Sequence, residues 1–431
     1  MYILIAFVFI VGYLFIALEH SIKIDKAATA ILTGVLCWVL IILGKDVIFP
    51  NTVDIHTIDQ EILHHIGEIA EILFFLLGAM TIVELVDAHN GFEVITSKIK
   101  TVNRVKLLWI ICLTTFFFSS VLDNLTTAIV MATLLRKIIS DKEDLWFFAG
   151  MVVIAANAGG AWSPIGDVTT IMLWIGGQVT AVNIMAKVFL PSIICLIVPL
   201  TIASFMGKKT INRKEVIEDS KESQKISQKE SNLVLGVGVL GLLFVPVFKN
   251  ITHLPPFMGM LFSLGIIWVF TEILHRKKSD SYKNKLAVST IIRKVDTPSV
   301  LFFLGILLAV AGLQTAGHLE QLAVTLNETF NNIYMTNIFI GFLSSIVDNV
   351  PLVAGAMGMY SLDVFPQDHV FWEMLAYCAG TGGSALIIGS AAGVAIMGIL
   401  KIDFIWYLKR ISFLAIIGYL SGVATYYLLN I

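Results

Sequence analysis

Apolar residues run in long blocks along this chain, at 27–44, 182–206, 232–247, 257–274, 299–316 and 411–429. Each block matches the ~17–25 residues that a helix needs to cross a hydrocarbon layer. None shows the short two-residue alternation of a membrane-spanning strand. The pattern predicts an all-α polytopic membrane protein. Block 2–18 has no basic start and no small-residue cleavage motif, so it reads as a retained first span. Residues 66–88 add another.

Two blocks carry the same polar phrase inside them. Residues 119–124 read Ser119-Ser120-Val121-Leu122-Asp123-Asn124, and residues 344–349 read Ser344-Ser345-Ile346-Val347-Asp348-Asn349. Acids at membrane depth are costly and mark ion pathways. The block 107–139 is too long for one upright span and too polar at its centre. Two arms of ~15 residues at 1.5 Å per residue would reach only partway, which describes a re-entrant hairpin. Residues 336–360 repeat the design.

Each phrase is followed by a long segment that cannot be a smooth helix. Segment 146–176 contains Asn157, Gly159, Gly160, Ser163, Pro164, Gly166, Asp167, Thr169 and Thr170. Segment 371–398 contains Gly382, Gly383, Ser384, Gly389 and Ser390. Proline removes a donor and glycine weakens the turn, so both read as discontinuous helices, the usual builders of transporter sites. Leu73-Phe74-Phe75-Leu76 is also echoed by Leu301-Phe302-Phe303-Leu304. The nearly constant offset marks an internal repeat. Half two keeps the design with one acid fewer, because Ser390 stands where half one has Asp167.

Charge then sets a topology. Lys and Arg concentrate in 19–26, 90–106, 136–145, 207–231 and 276–297, and in Lys409-Arg410. Segments 45–65, 317–336 and 361–370 are acidic or neutral apart from Lys45. Positive loops face the cytoplasm. With the hairpins taken as non-spanning, the pattern predicts about ten spans plus two re-entrant hairpins and both termini outside. Five spans per half make the two repeats inverted. The units are 1–206, a flexible hydrophilic linker at 207–231, and 232–431.

Composition narrows the partners. The chain is 57% hydrophobic and 14% charged, with net charge −2. Lipid is its surroundings, and nothing in the charge points to nucleic acid. Four cysteines in apolar segments fit no zinc or disulfide framework. No phosphate-binding loop of the Gly-x-x-x-x-Gly-Lys type is present. These features predict a transporter rather than an enzyme, with no cofactor and no nucleotide, driven by an existing ion gradient.

Carboxylates, amides, hydroxyls and freed backbone carbonyls are the ligands that hard cations take. The first tip supplies Ser119, Asp123, Asn124, Thr126 and Thr127, and the break supplies Asn157, Ser163, Asp167, Thr169 and Thr170. Half two supplies Ser344, Asp348, Asn349, Ser384 and Ser390. Sodium is expected at Asp123, Asn124 and Asp167. Glu68, Glu71, Glu84 and Asp87 pair up at spacing three along one helix and read mainly as interfacial charge. His56, His64 and His65 read as part of a solvated outer loop, with only a weak metal signal at His64, His65 and Glu68.

The Asp-Asn tips and the stretch Gly159-Gly160-Ala161-Trp162-Ser163-Pro164-Ile165-Gly166-Asp167 resemble the NhaD-type sodium/proton antiporters of the ion-transporter superfamily. The resemblance implies exchange of sodium or lithium for protons across the bacterial inner membrane, in the service of pH homeostasis. It also implies a homodimer with an elevator-like moving domain. It makes the tip acids and amides essential, with Asn157, Asp167, Thr169 and Thr170. Proton-coupled efflux of arsenite or another oxyanion is the alternative. A proton and a sodium ion competing for buried carboxylates is the expected mechanism, since crowding and burial favour a held proton.

Overall fold

The computed structural model describes residues 1–49, 55–92, 101–206, 210–211 and 226–430. All regular structure among them is helical, apart from one isolated backbone bridge between Asn103 and Thr210. Among the described residues, nine helices are long and apolar enough to cross a membrane, or ten if the bent pair Ala391–Leu400 and Phe404–Arg410 counts as one span. The chain is a multi-pass helical membrane protein.

Polar caps start these helices where apolar sequence begins. Asp25 accepts from Ala27 N at 2.8 Å to start Lys26–Leu43, and Asn103 accepts from Lys106 N at 2.9 Å to start Arg104–Leu122. A cap satisfies donors that the first helical turn leaves free.

The helices sort into two groups by packing. Tyr2–Ala17, Lys26–Leu43, Ile55–Ala88, Gln228–Thr252, Pro256–His275 and Thr297–Thr315 pack on one another. The second group holds both tips, both breaks, Ala181–Ser204 and Ser412–Leu429. They meet where Thr297–Thr315 lies on Asn349–Met359, Ile55–Ala88 on Val168–Ile175, and Gln228–Thr252 on Arg104–Leu122.

The halves repeat each other in detail. Helix Lys142–Ala161 breaks before Val168–Ile175, and Val370–Gly382 breaks before Ala391–Leu400. Ser119 Oγ donates to Ala156 O at 2.5 Å, and Ser344 Oγ donates to Ala379 O at 2.7 Å. Gly159 lies so near Phe116 that a Cβ would strike its backbone carbonyl, and Gly382 meets Gly341 in the same way. Glycine is required at both places because backbone approaches backbone.

Several expectations change. The first tip arm, Arg104–Leu122, has 19 residues and is long enough to span, not an arm of ~15. Helix Tyr2–Ala17 has 16 residues and falls below the spanning set. The loop expected at 45–65 becomes helical at Ile55, because Ile55–Ala88 extends about three turns beyond its apolar core. His64 and His65 are therefore helical, while Pro50 to Asp54 and the side chain of His56 lie outside the described residues. The loop expected at 317–336 contains the amphipathic helix His318–Phe330. Most of the linker 207–231 also lies outside the described residues, and its end joins helix Gln228–Thr252.

Candidate functional site

Asp167 sits at the first break, 1% exposed, as the cap of Val168–Ile175. Its Oδ1 accepts from Thr169 N at 2.9 Å and from Thr169 Oγ1 at 2.7 Å. Thr170 Oγ1 returns the capping box, accepting from Asp167 N at 3.3 Å. The extended backbone of Asp167 follows from Ser163-Pro164-Ile165-Gly166, which stops the preceding helix.

Both tips aim an amide at this one carboxylate. Asn124 Nδ2 donates to Asp167 Oδ2, and Asn349 Nδ2 donates to Oδ1 at 3.3 Å and Oδ2 at 3.4 Å. Asn124 Nδ2 also donates to Asn157 Oδ1 at 3.2 Å. Asn157 Nδ2 in turn donates to Ser384 Oγ and Ser390 Oγ, each at 2.9 Å. The network therefore joins both tips and both breaks. No Lys or Arg among the described residues pairs with Asp167.

The tip acids diverge. Asp123 caps Asn124–Ile138, accepting from Thr126 N at 2.7 Å and Thr126 Oγ1 at 2.9 Å. Its φ of +78° is a conformation that favours glycine, and holding it there costs about 1–3 kcal/mol. Asp348 has an ordinary φ of −49°. Its carboxylate pairs with Lys26 at 3.7 Å, and its N–H donates to Tyr13 Oη at 2.9 Å. Lys26 also lies 4.3 Å over the Phe302 ring. Lys26 was expected among the free charges of a basic loop, and the fold commits it to the second tip instead.

Asp123, Asn124, Asp167, Asp348 and Asn349 line one cavity of about 30 Å³, together with Leu76, Met80, Ser299 and Phe303. That volume holds about one water-sized group. Asp123 and Asp167 were expected to be held close; they share this cavity but bond to separate partners. A second cavity of about 380 Å³ lies farther along the same helices, lined by Glu68, Glu71, Met172, Leu307, Gln314 and Met357 among others.

The remaining predicted residues serve the backbone. Ser119, Ser163 and Ser344 donate to carbonyl oxygens, Ser163 reaching Ser120 O at 2.6 Å. Thr127 Oγ1 is buried with no partner among the described residues. Ser299, Tyr13 and Lys26 escaped sequence reasoning, since each reaches the site from a distant helix without a motif. Glu68 pairs with His64 and His65, each at 3.4 Å; Glu68 and His64 are exposed, whereas His65, expected in a solvated loop, is buried.

Comparisons with known proteins bear on this arrangement. A family model described as "Citrate transporter" matches residues 10–373. The chain is 48% identical over 424 residues to "Sodium/proton antiporter 1" of Arabidopsis thaliana, covering 98% of this chain and 71% of that protein. It is 44% identical over 427 residues to "Sodium/proton antiporter 2" of the same plant, covering 98% of both. It is 30% identical over 452 residues to "Na(+)/H(+) antiporter NhaD" of Vibrio cholerae serotype O1, covering 98% of this chain and 91% of that protein.

Proposed function

The chain belongs to the citrate transporter family and is a homologue of the NhaD-type sodium/proton antiporters; from that premise we propose that it is a secondary transporter exchanging sodium for protons. One observation carries the reading: Asp167 is buried, lacks a cationic partner among the described residues, and is addressed by Asn124 and Asn349 from both tips. A buried carboxylate needs a neutralising partner. A proton or a sodium ion supplies it, and the two compete for the same oxygens. Asp123, Asn124 and Asp167 hold the ion, and Asp348 and Asn349 close the cavity from the other half. Lithium, smaller and harder still, is taken by the same oxygens.

The loaded site moves and the empty one stays, because an unneutralised carboxylate is expensive to carry through a nonpolar barrier. An elevator-like shift of the tip-and-break group against the other helices is favoured by the seam between them. The cavity lies in that seam, and the larger cavity continues it toward the acidic-loop side, where Glu68 and Glu71 attract cations. The positive-inside pattern makes that side external, and the resemblance points to the bacterial inner membrane, with a role in pH homeostasis. The apolar faces of Gln228–Thr252 and Pro256–His275, whose span windows are each 28% buried, suit lipid or a second copy in a homodimer.

Citrate, which the family description names, fits this site poorly. Three carboxylates line the cavity and one lysine offsets one of them, so an anion meets net repulsion. Oxyanion efflux meets the same objection. Proteoliposomes with an imposed pH gradient and an internal pH dye test the reading. Sodium and lithium should collapse the gradient, while potassium, citrate and arsenite leave it intact. A response to citrate or arsenite without one to sodium would overturn it.

A further inference from the structure

Outside the ion cavity, His89, Glu230 and His275 converge where three helices of the first group end. His89 follows Ile55–Ala88, Glu230 lies in the first turn of Gln228–Thr252, and His275 closes Pro256–His275. All three are buried, and their nearest ligand atoms lie within 4.8 Å of one another. His89 Nε2 is 3.2 Å from His275 Nε2, which is 3.0 Å from Glu230 Oε1.

We propose that His89, Glu230 and His275 bind one divalent transition-metal ion of the zinc class, a site separate from the transported sodium. The spacing suits it. Ligand atoms ~2.0–2.1 Å from a tetrahedral ion sit ~3.3 Å from one another, close to the two separations present. The outer contacts suit it as well. His89 Nδ1 bonds to Leu85 O at 2.7 Å, which puts the ring proton on Nδ1 and leaves the Nε2 lone pair facing the cluster. Tyr282 Oη donates to Glu230 Oε1 at 2.8 Å and stands edge-on to the His275 ring. Two imidazoles and a carboxylate form a zinc donor set with an open fourth position for water. A cavity of about 340 Å³ lined by His275, Glu272 and Asn284 gives a route of entry. Lys278 Nζ lies 3.0 Å from Glu230 Oε2 and is 40% exposed, so it can swing into water when the ion arrives. Such an ion fastens three helix ends together and makes their rigidity depend on metal supply.

The test is independent of transport. Tag-free, full-length protein in detergent is titrated with Co²⁺ and read by visible absorption. The expected result is one equivalent bound, with the intense bands of a four-coordinate ion, displaced by Zn²⁺ but not by Mg²⁺. His275→Cys should add sulfur-to-cobalt charge transfer, which the wild type lacks because no cysteine belongs to the cluster. His89→Ala should abolish stoichiometric binding, and Tyr282→Phe should weaken it about 10-fold. A pale six-coordinate spectrum, no stoichiometric binding by the wild type, or His275→Cys binding without charge transfer would overturn the proposal. Each of those outcomes leaves a hydrogen-bonded cluster only. The wild-type spectrum decides the matter even if a variant fails to fold.

Discussion

The two tips are copies in sequence and opposites in electrostatics. Each has Ser-Ser, two apolar residues and Asp-Asn, and each serine pair makes the same backbone contacts. Yet Asp348 pairs with Lys26 and keeps a relaxed backbone, while Asp123 sits at φ +78° with backbone and hydroxyl donors of its own helix turn, Thr126 foremost, on its carboxylate. The breaks differ likewise, with Asp167 in one and Ser390 in the other. A duplicated scaffold has been kept while the free charge has gathered in half one. Symmetry here supplies geometry, and its violation sets Asp123 and Asp167 apart from their counterparts.

Substitutions can break this contrast in graded steps. The largest effect is expected from Asp167→Asn, which removes the charge both tips address. Exchange in proteoliposomes should fall by about 100-fold or more, the scale of one charged interaction worth ~3 kcal/mol. Asp123→Asn should follow closely, whereas Asp348→Asn should retain measurable exchange because Lys26 already offsets that acid. Equal loss in Asp123→Asn and Asp348→Asn would erase the contrast. Asn349→Ala removes one charged hydrogen bond and should weaken apparent sodium affinity about 10-fold.

Smaller effects sharpen the scaffold side of the comparison. Gly159→Ala and Gly382→Ala each press a methyl against a backbone carbonyl, and both should lower stability by about 1–3 kcal/mol. Thermal unfolding should show matched losses; a shift in only one would mean that the halves pack differently. Lys26→Met should cost about 1 kcal/mol, since the pair is partly solvated. Adding Asp348→Asn to Lys26→Met should restore part of that loss, as a double-mutant cycle in melting temperature can show.

Much of this was legible beforehand because it is written locally. Long apolar blocks announce spans. Gly159-Gly160 with Pro164, and Gly382-Gly383 with Gly389, announce breaks whatever surrounds them. The repeated Asp-Asn phrase pointed to positions that the fold brings to one cavity. What stayed hidden is contact between distant segments. Nothing near Lys26 says that it meets Asp348, and nothing near Ser299 says that it faces the tips. His89, Glu230 and His275 stand on three helices with no shared spacing. Helix ends were also misjudged, because a cap such as Asn103 or a polar extension such as residues 55–65 lengthens a helix beyond its apolar core.

The central claim is that one buried carboxylate takes sodium and proton in turn. Binding of radioactive sodium to purified wild-type protein and Asp167→Asn, across a range of pH, tests it most directly. Sodium should bind the wild type with an affinity that weakens as pH falls, through proton competition, and should not bind Asp167→Asn at any pH. Wild-type-like sodium binding by Asp167→Asn, or wild-type affinity that does not change with pH, would contradict the account.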